Sequence, residues 1–557
     1  MKKSLVLLLC AVLTSFMLGN CASRLAIKAG QDVISMDRYT EDLVTLASDE
    51  FQGRKPGTPG GAMTVRYLVE RFERLGLEPG NGRSYLQEVP LMAIIPDTQA
   101  TLIITGAGVF RELAYGDDFL GQPGGYNEEV RFDSTELVFV GYGVVAPEYD
   151  WDDYADVNVD GKLVVILRGD PGFATGDTTR FRGTSRTSHA FFASKYRQAG
   201  EHGARGAFVI IDPQLSSNPS NWTRFKRRGT RSRIKLEPDG EDAPGLEVEG
   251  YLNLSTGRSI LALAGLDYDS LVTAAAQPGF RSVPLGLRVS GSIRTTIRHF
   301  TSHNVMARLT GTKRPDEWVI YTAHWDHEGM DSTLAGDQIY NGAADNATGT
   351  ASILSLAEVF AGLDQPPERS ILFMGFTAEE SGLLGSRYYV NHPVYPLIKT
   401  VTVINIDMLV PLGQTHDIII IGHGKSVLDK YVARAAKRLG MVVQPDLWPE
   451  RNFYFRSDHI NFAREGVPAL NMTPGMDHVV YGQDSTLARF DDFIKEKYHH
   501  VSDEFDASWD LAGIRDYLRI AFDVGYTISN QTRFPNWYRG DEFRPIRDAA
   551  MDAAGSK

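Results

Sequence analysis

From about residue 293 to about 535, short apolar runs alternate with longer stretches whose apolar positions recur every three or four residues. The runs predict strands around Val319, Leu372, Val403, Ile419 and Ala469, and the periodic stretches predict helices around Leu354, Tyr388, Val432 and Leu518. Strands that alternate with helices in this way predict an α/β fold, a mainly parallel sheet sandwiched by helices. Upstream, Asp37 to Leu75 reads as two helices separated by a turn rich in glycine and proline over 53–60, and Tyr85 to Leu91 reads as a strand. Between those parts the texture changes. Strands are predicted over Leu137–Val144, Gly161–Leu167 and Gly206–Ile211, with a short helix over Lys195–His202. The basic stretch Arg224 to Lys235 reads as a solvated, mobile loop, ahead of a grip on acidic substrates or membrane lipids.

The first residues carry a different signal. Lys2 and Lys3 precede an apolar run from Leu5 to Leu18, too short for a comfortable membrane span and suited to the core of a secretory signal peptide. Export is the expectation, to the periplasm or cell envelope or beyond it. Leu18 to Cys21 resembles a bacterial lipoprotein box, in which the cysteine is lipidated after cleavage; Asn20 departs from the Gly, Ala or Ser usual before that cysteine. The two cysteines, Cys10 and Cys21, both lie in this leader, so the mature chain has no intramolecular disulfide to rely on.

Potential metal ligands sit at the edges of the apolar segments. The predicted strand around Val319 runs directly into His324, Trp325, Asp326 and His327, so His324 emerges at a strand's carboxyl end, where open α/β sheets place their sites. Asp326 is within reach of the other ring nitrogen of His324 and can fix its tautomer. By themselves these residues could equally be polar caps on a strand. Asp345 follows a run of small residues just before a helix, where it could bind an ion or cap the helix. Glu379 and Glu380 follow the strand around Leu372; such a pair can divide metal binding and proton transfer, or simply sit at a helix start. Asp407 ends the strand around Val403, an expensive place for a carboxylate unless a cation or donor answers it. Of these, His324, Asp345, Glu380 and Asp407 together with His499 make two imidazoles and three carboxylates, the set that a pair of zinc ions sharing one bridging carboxylate requires.

Taken together, the strings Ala323 to His327, Gly342 to Asn346, Glu379 to Ser386, Asn405 to Met408 and Tyr498 to Asp503 closely resemble the motifs of the co-catalytic di-zinc exopeptidases of metallopeptidase family 28. The resemblance implies two Zn2+ per chain, with Asp345 bridging, His324 and Asp407 completing one site, and Glu380 and His499 completing the other. In the terminal motif an aspartate follows the ligand histidine by four, which selects His499 with Asp503 and leaves His500 aside. Glu379 corresponds to the general base, with Asp326 supporting His324. The stretch Phe453 to His459 resembles the segment lining the family's substrate cleft. Tyr454 is there a candidate oxyanion donor, or else packs under a loop; Asp458 and His459 read as cleft walls or partners of the ligands. The expected fold is that of the zinc exopeptidases, phosphorylase/hydrolase-like. The expected domains are a leader over 1–21, an amino-terminal part of the peptidase domain over 30–110, an inserted β-rich domain resembling the protease-associated domain over 111–292, the zinc peptidase domain over 293–535 and a tail over 536–557. The insert is expected to cover the cleft, shape access or contact partners.

The remaining numbers narrow the class. With 57 basic against 70 acidic side chains the net charge is -13, which disfavours nucleic acid as a partner. No second long apolar stretch follows the leader, so membrane contact is expected only through a lipid anchor. The expected substrates are peptides, and the expected activity is that of an aminopeptidase. A carboxypeptidase of the same family needs a basic pocket for a carboxylate, for which Arg456 is the nearby candidate. A non-catalytic binding protein on the same fold is disfavoured by the complete set of ligands and base.

Overall fold

The computed structural model describes residues 24–106, 108–125, 127–181, 183, 187–216, 221–238 and 245–555. The leader, including Cys10 and Cys21, lies outside them. The chain divides into two compact units, one made of residues up to Pro90 and from Thr301 onward, the other of Leu91–Phe300. The inserted unit thus begins before the expected residue 111 and ends after 292. The segment beyond 535, read as a tail, holds a helix over Arg544–Gly555, and the buried Arg547 donates from Nη2 to the carbonyl of Thr400 at 2.8 Å.

The first unit is built on a mixed, mainly parallel sheet. In spatial order its principal strands are the end of Val283–Leu309, then Arg369–Phe376, Arg314–His324, Thr400–Asn405, Ala469–Pro474, Asp417–Ile421 and Val442–Pro445. The first of these pairs and the pair Asp417–Ile421 with Ala469–Pro474 are antiparallel; the others are parallel. Along Arg314–His324, Val319, Tyr321 and Ala323 enter one apolar cluster while Trp318 and Ile320 enter another. Both faces are therefore covered, which is why the strand sequences read as unbroken apolar runs. The helices Met36–Leu46, Thr348–Ala361, Leu428–Arg438 and Ala512–Ser529 supply the first cluster; His459–Arg464 and Gly482–Glu496 contribute to the second.

One topological feature places the site. From Arg314–His324 the chain passes through a helix to Arg369–Phe376 on one side, then crosses to Thr400–Asn405 on the other. The carboxyl end of Arg314–His324 is a switch point, where diverging connections leave a crevice. Register aligns the three ends, with His324 opposite Phe376 and Thr322 opposite Asn405.

The second unit has its own apolar clusters. Leu163–Leu167, Gly206–Ile211 and Val248–Asn253 form a parallel trio, extended on one side by the antiparallel Phe119–Pro123 and on the other by Glu129–Phe139. The expected loop over 224–235 instead contains the helix Trp222–Gly229 and the strand Arg233–Leu236. Asn221 caps that helix by accepting from the Arg224 amide, and Trp222 Nε1 donates to the Gly116 carbonyl at 2.9 Å. Local capping and an aromatic anchor outweigh the mutual repulsion of its cations.

Candidate metal centre

His324, the last residue of its strand, is buried. Its Nε2 lies 3.3 Å from Asp345 Oδ1 and 3.2 Å from Asp407 Oδ1. The other oxygen of Asp345, Oδ2, lies 3.2 Å from His499 Nε2, and that same nitrogen is 3.1 Å from Glu380 Oε2. Asp345 therefore presents one oxygen to each of two imidazoles, and each imidazole faces one further carboxylate. Ligands of a tetrahedral ion with bonds of roughly 2.0–2.1 Å are separated by about 3.3–3.4 Å, so the spacings fit two zinc ions bridged by Asp345. The charge balance agrees. Asp326, Asp345, Glu379, Asp458 and Asp503 are buried here, and Glu380 and Asp407 nearly so, against the buried cation Arg54. Such a concentration of carboxylates calls for cations.

Glu379 is close without being the nearest ligand: its Oε2 is 3.9 Å from His324 Nε2. Within 4.8 Å of one another lie the ligand atoms of His324, Glu379 and Asp407, and separately those of His327, Asp345 and Glu380. Burial, reinforced by Asp407, Glu380 and Asp458, pushes the Glu379 carboxyl well above its ordinary range, against the pull of His324. Burial acts on Asp345 in the same sense, yet hydrogen bonds from both imidazoles bring its carboxyl below the ordinary value. His499 is pushed up to about 10, because Glu380 and Asp345 outweigh the cost of burial. The carboxylates thus favour a proton on the imidazole, and a bound metal would have to take its place.

The loops are held by backbone contacts. Asp503 accepts from the amides of Ala344 and Asp345 at 3.0 and 3.1 Å, fixing the turn that presents the Asp345 carboxylate. Asn346 donates to the Ile406 carbonyl and accepts from the Met408 amide, tying that turn to the Asp407 segment. Arg54 donates to the carbonyls of Trp325, Leu46, Asn341 and Gly342 at 2.9, 2.7, 2.5 and 2.9 Å. It thereby fastens the His324 turn and the Asp345 loop to the amino-terminal helices. Burial lowers its pKa to about 10 despite the opposing pull of Asp503, Asp326, Asp345 and Glu380.

Two assignments change. The group facing His324 Nδ1 is the backbone carbonyl of Asp326 at 3.1 Å, while the Asp326 carboxylate lies 4.0 Å away and accepts from the Glu379 amide at 3.0 Å. The Asp326 carboxylate thus holds the Glu379 backbone, and only its carbonyl meets His324. Tyr454 is buried, its ring 4.7 Å from His459 and its hydroxyl without a hydrogen-bond partner among the described residues. Besides burial, the charges acting on that hydroxyl are Asp541, Glu542 and Asp429, none from the centre. Packing against Phe543 and Lys425 decides its direction. A tyrosine beside the carboxylates is Tyr498, which stacks on His499 with centroids 3.9 Å apart, accepts from exposed Arg456 Nη2 at 3.1 Å, and senses Asp345, Glu380 and Glu379. Arg54, His327 and Tyr498 carry no distinguishing local pattern. Only the adjacency of His327 and Tyr498 to ligand histidines could have pointed to them.

Residues 304–523 match the model of peptidase family M28. Aminopeptidase NAALADL1 of Mus musculus is 27% identical over 329 residues, 56% of this chain and 40% of its own length. Aminopeptidase YwaD of Bacillus subtilis is 35% identical over 113 residues, 20% of this chain and 22% of that one. This chain spans well under half the length of these curated relatives. Among solved structures, the aminopeptidase from Aneurinibacillus sp. strain AM-1 is similar in fold, with a TM-score of 0.52 and 20% identity over 91% of this chain and 96% of that one. All the candidate ligands fall within the matched stretch, at the switch point of a mainly parallel sheet, and residues 304–523 are a peptidase family M28 domain.

Proposed function

We propose that this protein is a zinc-dependent aminopeptidase that removes amino-terminal residues from peptides at a two-zinc centre. The observation carrying the reading is the bridging pose of Asp345, one oxygen toward His324 and Asp407, the other toward His499 and Glu380. The names of the similar aminopeptidases support it. Bound zinc would supply a Lewis acid for the peptide carbonyl and lower the pKa of water toward neutrality. The chain's own part is to place Glu379 beside that position as the proton acceptor and later donor to the leaving amine. The amide of Glu379 is anchored on Asp326, which limits its wandering. The surrounding carboxylates offer a negative environment for a substrate's α-ammonium.

A carboxypeptidase reading keeps one supporting observation: Arg456 is exposed, pairs with no acid among the described residues, and reaches the centre through Tyr498. We further propose that the protein is exported and anchored through Cys21. No helix among the described residues is long and apolar enough to cross a membrane.

Metal analysis of the purified chain, beside turnover of amino-acyl and carboxy-terminal chromogenic substrates, tests the main reading. Close to two zinc ions, cleavage of the amino-acyl set, and a Glu379→Gln variant that keeps its zinc but loses at least about a hundredfold in turnover are expected. One ion or none after reconstitution, or near-normal turnover of Glu379→Gln, refutes it.

A further inference from the structure

Three residues after the strand that carries His324, the turn ends on a second buried histidine, His327, which lies with Asp345 and Glu380 but is not among the five ligands of the proposed centre. Its Nδ1 lies 2.7 Å from Glu380 Oε1, the carboxylate oxygen that does not face His499. Its ring lies 5.7 Å, centroid to centroid, from that of His499, at 73°. The opposite side of the ring rests on bare backbone: a Cβ on Gly342 would stand 2.5 Å from His327 Cγ and Cδ2 and 2.3 Å from the Asp345 carbonyl oxygen. Gly342 also has φ +55, a conformation glycine adopts without strain. The His327 imidazole is thus wedged between the carboxylate of one ligand and the loop that presents the bridging ligand.

Resting on the two-zinc reading, we propose that His327 is a positioning residue for the Glu380–His499 metal site. With Nδ1–H donated to Oε1, Glu380 has one oxygen satisfied and the other aimed at the ion, as a single ligand. A carboxylate lacking that donor can rotate about its last bond and spread both oxygens or neither toward the metal, losing the preorganised geometry. The Gly342 notch keeps the ring from following. The effect falls chiefly on that site, because Glu380 belongs to it alone, while the other takes His324 and Asp407 and shares only Asp345 with it.

Zinc titration of the full chain against a competing chromophoric chelator separates the two binding steps. In His327→Ala the affinity of one site is expected to fall about 10- to 100-fold, the range for lost partners of metal ligands, with the other step unchanged. In His327→Asn, whose side-chain amide nitrogen can occupy the place of Nδ1, most of that affinity is expected to return. Melting temperatures of the zinc-free proteins accompany the titration. Two undisturbed steps in His327→Ala, equal weakening of both, or His327→Asn behaving like His327→Ala would each overturn the role. A wild-type chain that takes fewer than two zinc ions would instead contradict the proposed function.

Discussion

His459 opens the helix His459–Arg464 behind the cleft segment, and it is fully buried with no hydrogen-bond partner of normal geometry on either ring nitrogen among the described residues. Burial lowers its pKa from 6.5 to about 3, with only the Tyr454 backbone pulling the other way. The unfolded chain therefore binds this proton at a higher pH than the folded chain does, so stability is lost as pH falls from about 6.5 toward about 3. At pH 5 the linkage amounts to about 2 kcal/mol, and at pH 7.5 to about 0.1 kcal/mol or less. Replacing the imidazole with a side chain that does not titrate and fills an irregular apolar space, His459→Met, removes this dependence. Urea unfolding followed by tryptophan fluorescence, in zinc-free buffer from pH 7.5 to 5, compares the two proteins. The other carboxylates and histidines titrate in both, so the difference between the curves isolates His459. Expected is a swing of about 2 kcal/mol in favour of His459→Met as the pH falls. Parallel curves across that range would refute the reasoning, since His459 would then have found a partner or water that accepts its proton in the folded state.

Gly525 lies in the helix Ala512–Ser529 where an added Cβ would fall 1.8 Å from the Tyr321 hydroxyl, which itself donates to the Ala521 carbonyl at 2.8 Å. Gly525→Ala should destabilise the first unit by about 1–3 kcal/mol, read as a lower melting temperature, and a rise would mean that helix and sheet separate more easily than this packing allows. At the other end of the chain, mass spectrometry of the mature amino terminus should find a lipid-modified Cys21, because several acyl chains hold a protein to a membrane where one does so only marginally. An unmodified terminus downstream of Cys21, with the activity in the soluble fraction, would mean plain secretion.

The sequence by itself determined the strands of the first unit and the residue types at their ends. Trp318 to Tyr321 and Ile371 to Met374 are apolar at consecutive positions because both faces of the sheet are covered, and that pattern is local enough to read directly. His324, Glu380 and Asp407 were legible for the same reason, as polar groups where an apolar run stops. Strand order was not legible: it depends on pairings between segments far apart in the chain, and it is this order that makes the end of Arg314–His324 a switch point. Nor could spacing alone say which atom meets which. The Asp326 carboxylate turns to the Glu379 amide because the turn folds its carbonyl toward His324, and Tyr454 is drawn away by aromatic neighbours from the last residues of the chain. Arg54 sits in what reads as a turn rich in glycine and proline, yet only the folded chain brings four carbonyls around one guanidinium. Residue type and hydrophobic period are properties of neighbours in sequence, whereas the partner of a buried donor is chosen by whichever backbone the fold delivers to it.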